Sequence, residues 1–177
     1  MEEYRRTLCE DRQYSFTYNL SSGSMDIVDA NTRSRMMANI GSKNTLPEIK
    51  VRRYLHGLGY RFRLHRTDLP GRPDLALPKY KLAIFVNGCF WHRHNNCFYA
   101  TSPATRKEFW QEKLNRNTER DTLHIKLLIE SGWRVLTVWE CGLKHNMDSI
   151  DSLPEMIESK LPICEWPATP PRLRSDY

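Results

Sequence analysis

Cys89, His94 and Cys97 crowd three metal-compatible side chains into nine residues, and Cys141, far downstream, offers a fourth. Thiolate and imidazole donors in that number suit a tetrahedral zinc, and four protein ligands leave no open position, so such a site is structural and not catalytic. This pattern constrains the fold more than any other, because a shared ion ties the loop around residue 90 to a distant part of the chain. Buried free thiols are the alternative. They do not account for a histidine set between two of the cysteines, or for polar Asn95-Asn96 beside the second. The five cysteines are odd in number, which disfavours a disulfide framework. The longest apolar run, Leu82 to Val86, is far too short to span a bilayer, and Glu2, Glu3, Arg5 and Arg6 open the chain with no apolar stretch behind them. A soluble protein of a reducing compartment is expected.

The 177 residues suit one domain with its own core. Residues 1–24 lack an apolar period and end in Ser21-Ser22-Gly23-Ser24, so they read as a loosely ordered extension ahead of Met25. Thr45-Leu46-Pro47-Glu48 predicts a helix start with a capping box, and Gly57 and Gly59 predict its end. Tyr60–Leu64, Asp74–Leu77 and Leu82–Val86 read as strands of a central meander, Thr105–Glu130 as a long helix stopped by Gly132, and Trp133–Trp139 as a further strand. That order predicts an α/β protein, a mixed central sheet flanked by helices, occupying residues 25–147. Residues 148–177 read as a weak helix and a proline-rich tail, with Pro162 to Pro171 expected to lack regular structure.

Three groups of residues carry possible chemistry. Asp74, after Gly71-Arg72-Pro73 at the mouth of a strand, is placed as a rigid carboxylate should be to hold Mg²⁺ against a phosphate. In an extended backbone His92 and His94 point opposite ways, so His94 can face zinc while His92 faces a substrate as general base. Phe90 and Trp91, with Trp110 on the following helix, sit in or near a polar loop where core packing is hard to arrange, and such residues can wedge between base steps. Charge points the same way. Residues 31–66 hold nine Lys/Arg against a single acid, Glu48, a localised block suited to a polyanion, with Arg33, Arg35 and Lys43 as candidate DNA contacts.

The residues Asn31-Thr32-Arg33-Ser34-Arg35-Met36-Met37, Leu69-Pro70-Gly71-Arg72-Pro73-Asp74, Gly88-Cys89-Phe90-Trp91-His92, Pro103-Ala104-Thr105-Arg106 with Phe109-Trp110, Asn117 with Glu119-Arg120-Asp121, and Gly132-Trp133-Arg134-Val135 through Val138-Trp139-Glu140-Cys141 form a specific set. On them the chain resembles, from about Met25 to Lys144, the very short patch repair (Vsr) mismatch endonucleases of bacteria. The resemblance implies a restriction-endonuclease-like fold and a monomer acting on double-stranded DNA. It further implies a nick 5′ of the thymine in a T:G mispair, the lesion left by deaminated 5-methylcytosine, and hence a functional link to a cytosine-5 DNA methyltransferase in a bacterial cytoplasm, at the nucleoid. Position by position it implies Asp74 and the Val86 carbonyl as Mg²⁺ ligands, Glu48 acting through water, and His92 as general base oriented by Asp121. It also implies Phe90, Trp91 and Trp110 as the wedge and Cys89, His94, Cys97 and Cys141 as the Zn²⁺ ligands. Asn87 stands where the best-known members have histidine, and Val86 where they have threonine. The first change leaves a neutral donor in place of an imidazole, which keeps open a mismatch-binding protein with weak or no cleavage.

Overall fold

Thr45 caps the helix that opens the continuously described part of the computed structural model, which describes Thr32, residues 43–145 and residues 147–174. Both arms of the capping box form. The Thr45 hydroxyl accepts from the Glu48 amide, and the Glu48 carboxylate accepts from the Thr45 amide. The helix, α1, runs Leu46–Gly57 and buries Val51 and Leu55. Two short strands follow, β1 (Arg63–Leu64) and β2 (Leu75–Leu77), then β3 (Leu82–Asn87). The long helix α2 (Lys107–Glu130) ends in a double turn at Gly132, whose amide donates to the Ile129 carbonyl while the Trp133 amide donates to that of Leu128. Gly132 has φ 76°, a left-handed conformation that glycine adopts without steric cost. Strand β4 (Arg134–Trp139) completes the predicted succession, and a short helix α3 (Glu140–His145) that the sequence reading did not include follows it directly.

The five strands lie in the order β1-β2-β3-β4-β5, antiparallel across β1, β2 and β3 and parallel across β3, β4 and β5. Strand alternation divides the core between two faces. Leu75, Leu77, Leu82, Ile84, Leu136 and Val138 pack with Val51 and Leu55 of α1 and Leu143 of α3. Ala76, Ala83 and Val135 meet Leu128 of α2 on the opposite face. The expectation of a mixed sheet between helices is met.

The tail corrects the sequence reading. A 3-10 turn (Met147–Ser152) and a helix α4 (Leu153–Glu158) are followed by β5 (Ile163–Trp166), which pairs with β4 where no regular structure was expected. Trp166 is 2% exposed and belongs to the main core. Gly142 measures how closely this tail packs, since a Cβ there would lie 2.6 Å from both Pro167 Cδ and Trp166 Cζ3. Gly142→Ala should therefore cost about 1–3 kcal/mol despite alanine's better helix propensity, read as a lower denaturant midpoint.

Candidate active site and metal centre

Strands β2 and β3 bring the first site together. Asp74, at the entrance to β2, accepts a 2.8 Å hydrogen bond from the Val86 amide on β3, which fixes its carboxylate beside the sheet. Burial pushes its pKa from the ordinary 3.8 up to about 6, against the opposing pull of that amide. Glu48, 3% exposed on α1, and His65, just beyond β1, stand next to it, and the three side chains each bring one ligand-type atom within 4.8 Å of the others. His65 Nδ1 lies 3.8 Å from Asp74 Oδ1 and its Nε2 4.0 Å from Glu48 Oε2. Burial and the Arg52 guanidinium lower the His65 pKa below 6.5, which favours the neutral imidazole. Arg52 donates 2.6 Å hydrogen bonds to Glu48 Oε2 and Asn44 Oδ1 and a 3.0 Å bond to His65 Nε2.

Glu48 thus does two things at once. It closes the capping box and faces Asp74 and His65, so the local explanation of this residue and the catalytic one do not compete. His65 and Arg52 escaped the sequence reading as site residues. Arg52 was one cation in a basic block, and His65 lies outside every periodic segment.

His92 stands on the other wall. Its Nδ1 is 2.5 Å from Asp121 Oδ2, so the ring N–H donates to the carboxylate and leaves Nε2 as the acceptor. Residues 89–93 form turns and not the extended run expected from the sequence, with Arg93 at φ 53°. His92 and His94 are still directed to different partners, through the turn instead of strand alternation. Asn117, one helical turn before Asp121 on α2, donates to the Trp91 carbonyl at 3.1 Å and pins the same loop. Asp74, Glu48, His65, His92, Asp121, Asn87 and Val86 all line one cleft of about 710 Å³, whose wall also carries Lys43, Arg72 and Arg120. Arg33 and Arg35 lie outside the described residues.

The aromatic residues gather as expected. Phe90 lies 5.1 Å from Trp91 and 5.6 Å from Trp110, centroid to centroid, with Trp91 and Trp110 6.0 Å apart. All three are half-buried, not sealed in the core. Phe109 joins the group at 5.5 Å from Trp110, and the Lys113 ammonium sits over both tryptophan rings at 5.3 and 5.4 Å.

Behind this loop lies the second centre. Cys89, His94, Cys97 and Cys141 are all buried, with one ligand atom of each within 4.8 Å of the others. His94 Nδ1 is 3.6 Å from Cys89 Sγ and 3.4 Å from Cys141 Sγ. A tetrahedral ion with Zn–S near 2.3 Å and Zn–N near 2.0 Å has ligand edges of roughly 3.4–3.8 Å, which these two separations match. The His94 ring lies flat on Trp139, 4.1 Å between centroids and 5° between planes, which holds Nδ1 toward the thiols. The Cys89 thiol's pKa is raised, first by its hydrogen bond with Cys141 and then by burial. The tail closes over this loop, with the Phe98 amide donating to the Arg172 carbonyl and the Arg174 amide to that of Asn96. Glu140, unremarked in the sequence except as a neighbour of Cys141, accepts from the Cys89 amide at 3.1 Å and joins the two centres.

Carboxylates and imidazoles on the floor of a cleft with basic and aromatic side chains on its walls define a class, the nucleases. Residues 25–98 match the family described as DNA mismatch endonuclease Vsr. The chain is 45% identical to DNA mismatch endonuclease Vsr of Escherichia coli over 75% of its own length and 85% of that protein. It is 46% identical to the Type II nicking enzyme V.XorIIP of Xanthomonas oryzae (67% and 86%) and 41% identical to V.NmeAIP of Neisseria meningitidis (68% and 85%). The chain belongs to the Vsr family of DNA mismatch endonucleases. Among the described residues no helix is long and apolar enough to cross a membrane.

Proposed function

We propose that this endonuclease nicks one strand of duplex DNA 5′ of the thymine in a T:G mispair, as a monomer with a restriction-endonuclease-like fold, in very short patch repair of deaminated 5-methylcytosine. The observation that carries the cleavage reading is the shared cleft. It sets Asp74 and Glu48 opposite an imidazole whose free nitrogen is defined by its carboxylate partner. The mispair and the link to a cytosine-5 methyltransferase rest on family membership. The experiment is nicking by purified protein with Mg²⁺ on a T:G duplex against its T:A counterpart. Equal cutting of both overturns the specificity; tight T:G binding without any cutting favours the binding-protein reading that Asn87 keeps in view.

Asp74 and the Val86 carbonyl would hold Mg²⁺, with Glu48 acting through water. The ion, when bound, supplies charge neutralisation at the scissile phosphate and leaving oxygen. The chain's own groups do the rest. His92 Nε2 takes the proton of the attacking water, while Asp121 holds the ring's Nδ1–H and favours the imidazolium that forms. Lys43, Arg72 and Arg120 place positive charge along the cleft for the strand backbone. Phe90, Trp91 and Trp110 enter the stack beside the mispair, where unstacking costs least. Asp121→Asn keeps a partner for Nδ1 but removes the charge that stabilises the imidazolium and defines the tautomer. It should slow single-turnover nicking by about 10²-fold or more with little change in duplex affinity.

Cys89, His94, Cys97 and Cys141 would hold Zn²⁺, which would fix the loop that carries His92 and the aromatic wedge. Residues 1–24 are an extension that the catalytic body, beginning at Met25, does not require. A chain starting at Met25 should nick and melt like the full chain, and a loss of either would show that the extension packs against the body.

A further inference from the structure

His65 is the cleft residue to which neither the resemblance nor the reaction above gives a task. Its backbone is left-handed at φ 46°, a conformation that histidine adopts more readily than most side chains. That conformation turns the ring between two carboxylates. Its Nδ1 lies 3.8 Å from Asp74 Oδ1 and its Nε2 4.0 Å from Glu48 Oε2, so each ring nitrogen faces a different carboxylate. Asp74, Glu48 and His65 form one donor group within 4.8 Å. A guanidinium only donates, so the 3.0 Å contact from Arg52 marks Nε2 as the ring's acceptor in the cation-free chain. A cation taking that lone pair displaces Arg52 Nη2, the nitrogen that also donates to Glu48, while Nη1 keeps its bond to Asn44.

We infer that His65 is a metal-selecting ligand of this cleft, adding an imidazole nitrogen to the Asp74 carboxylate, with Glu48 beside them, so that the site takes first-row divalent ions such as Mn²⁺ in preference to Mg²⁺. The argument is one of donor chemistry. Mg²⁺ is hard, prefers oxygen and parts reluctantly with water, so a nitrogen donor gains it little. Transition ions accept imidazole, and their affinity for mixed nitrogen and oxygen sites rises along the first-row series from Mn²⁺. The proposal rests on the metal-dependent reading above and adds to it the identity of the preferred ion. His65 makes no claim on the proton transfer, which stays with His92.

The probe is Mn²⁺ itself, added to the full zinc-loaded chain without DNA. Affinity is measured by titration, and the ligand by pulsed electron paramagnetic resonance, which detects ¹⁴N coupling to the bound ion. Wild type should bind Mn²⁺ about tenfold or more tighter than Mg²⁺ and show the coupling. His65→Asn, comfortable in a left-handed backbone but too short to reach the ion, should lose the coupling and weaken Mn²⁺ by about 10–100-fold while changing Mg²⁺ less than about threefold. His65→Gln, which retains an acceptor for Arg52, should also lose the coupling, and His92→Asn should retain it. Zinc content and far-ultraviolet circular dichroism show that each variant is folded. Mn²⁺ bound equally well by wild type and both His65 variants, with no coupling that depends on His65, overturns the inference and leaves the metal-dependent reading standing. Absence of any Mn²⁺ or Mg²⁺ binding to wild type overturns both.

Discussion

Replacing Asp74 by asparagine should abolish nicking while leaving the preference for a T:G over a T:A duplex nearly intact. Recognition and chemistry draw on different groups. On the proposed reading, preference for the mispair would come from the low cost of unstacking a poorly held pair, exploited by Phe90, Trp91 and Trp110, and from contacts to its altered edges. Neither needs the ion. Cleavage needs a cation on the phosphate, and removing a charged ligand should raise the barrier by several kcal/mol, a rate loss of roughly a thousandfold or more. The measurement is paired, nicking in saturating Mg²⁺ and equilibrium binding in Ca²⁺, on both duplexes. Cutting at the wild-type rate would reduce Asp74 to a turn residue.

The same substitution should make the Mg²⁺-free protein more stable. Burial raises the Asp74 pKa to about 6 from 3.8, so between those values the folded chain binds more protons than the unfolded one. Stability contributed by this group is therefore full below about pH 4, falls as pH rises toward 6, and stays lost above it. Asparagine carries no such charge and can still accept from the Val86 amide. At pH 7 the variant should gain on the order of 1–3 kcal/mol, and the gain should vanish below pH 4. A buried carboxylate held ionised at a cost in stability is a common trade at a metal-binding site. A variant less stable than wild type at pH 7 would contradict this account.

Local signals were legible where local physics decides. The capping box at Thr45 and Glu48 and the stop at Gly132 form as their residue types require, because their partners lie within one helical turn. Strands β2, β3 and β4 were visible as short apolar runs. Strand β5 was not, because Pro162 and Pro167 bracket Ile163–Trp166 and a parallel edge strand is set by a distant neighbour. Its pairing with β4 supplies what the composition appeared to deny. The metal centre was readable since ligand spacing is itself a sequence property, whereas His65 reaches the cleft through one left-handed residue that no periodicity announces. Arg52 shows the opposite failure. It belongs to the basic block that reads as suited to a polyanion, yet its side chain is 12% exposed and bound to Glu48.

Cys141→Ser should have the opposite signature to Asp74→Asn, with stability, nicking and mismatch preference failing together. Cys141 lies in the first turn of the helix that follows β4, while Cys89, His94 and Cys97 belong to the loop after β3, so a bound ion would join two segments that also meet through Glu140 and the Cys89 amide and through the stack of His94 on Trp139. That loop carries His92 at one point and Phe90-Trp91 at another, and α2 holds it by the bonds of Asn117 and Asp121. Serine's hydroxyl is a poor substitute for a thiolate, and the remaining three donors would surround a weakly held ion in a buried pocket. Because structural zinc affinity is folding free energy, the loss should be about 3 kcal/mol or more, a fall in melting temperature of roughly 10 °C. Elemental analysis should give one zinc per wild-type chain, purified without chelator, and a substoichiometric amount in the variant. A Cys141→Ser protein that melts with wild type and still prefers T:G would show that the four residues are only packed thiols. Wild type free of zinc but fully active would do the same. The contrast between the two substitutions is the sharper test, since only a separate scaffold ion predicts that one removes cleavage alone and the other removes recognition with it.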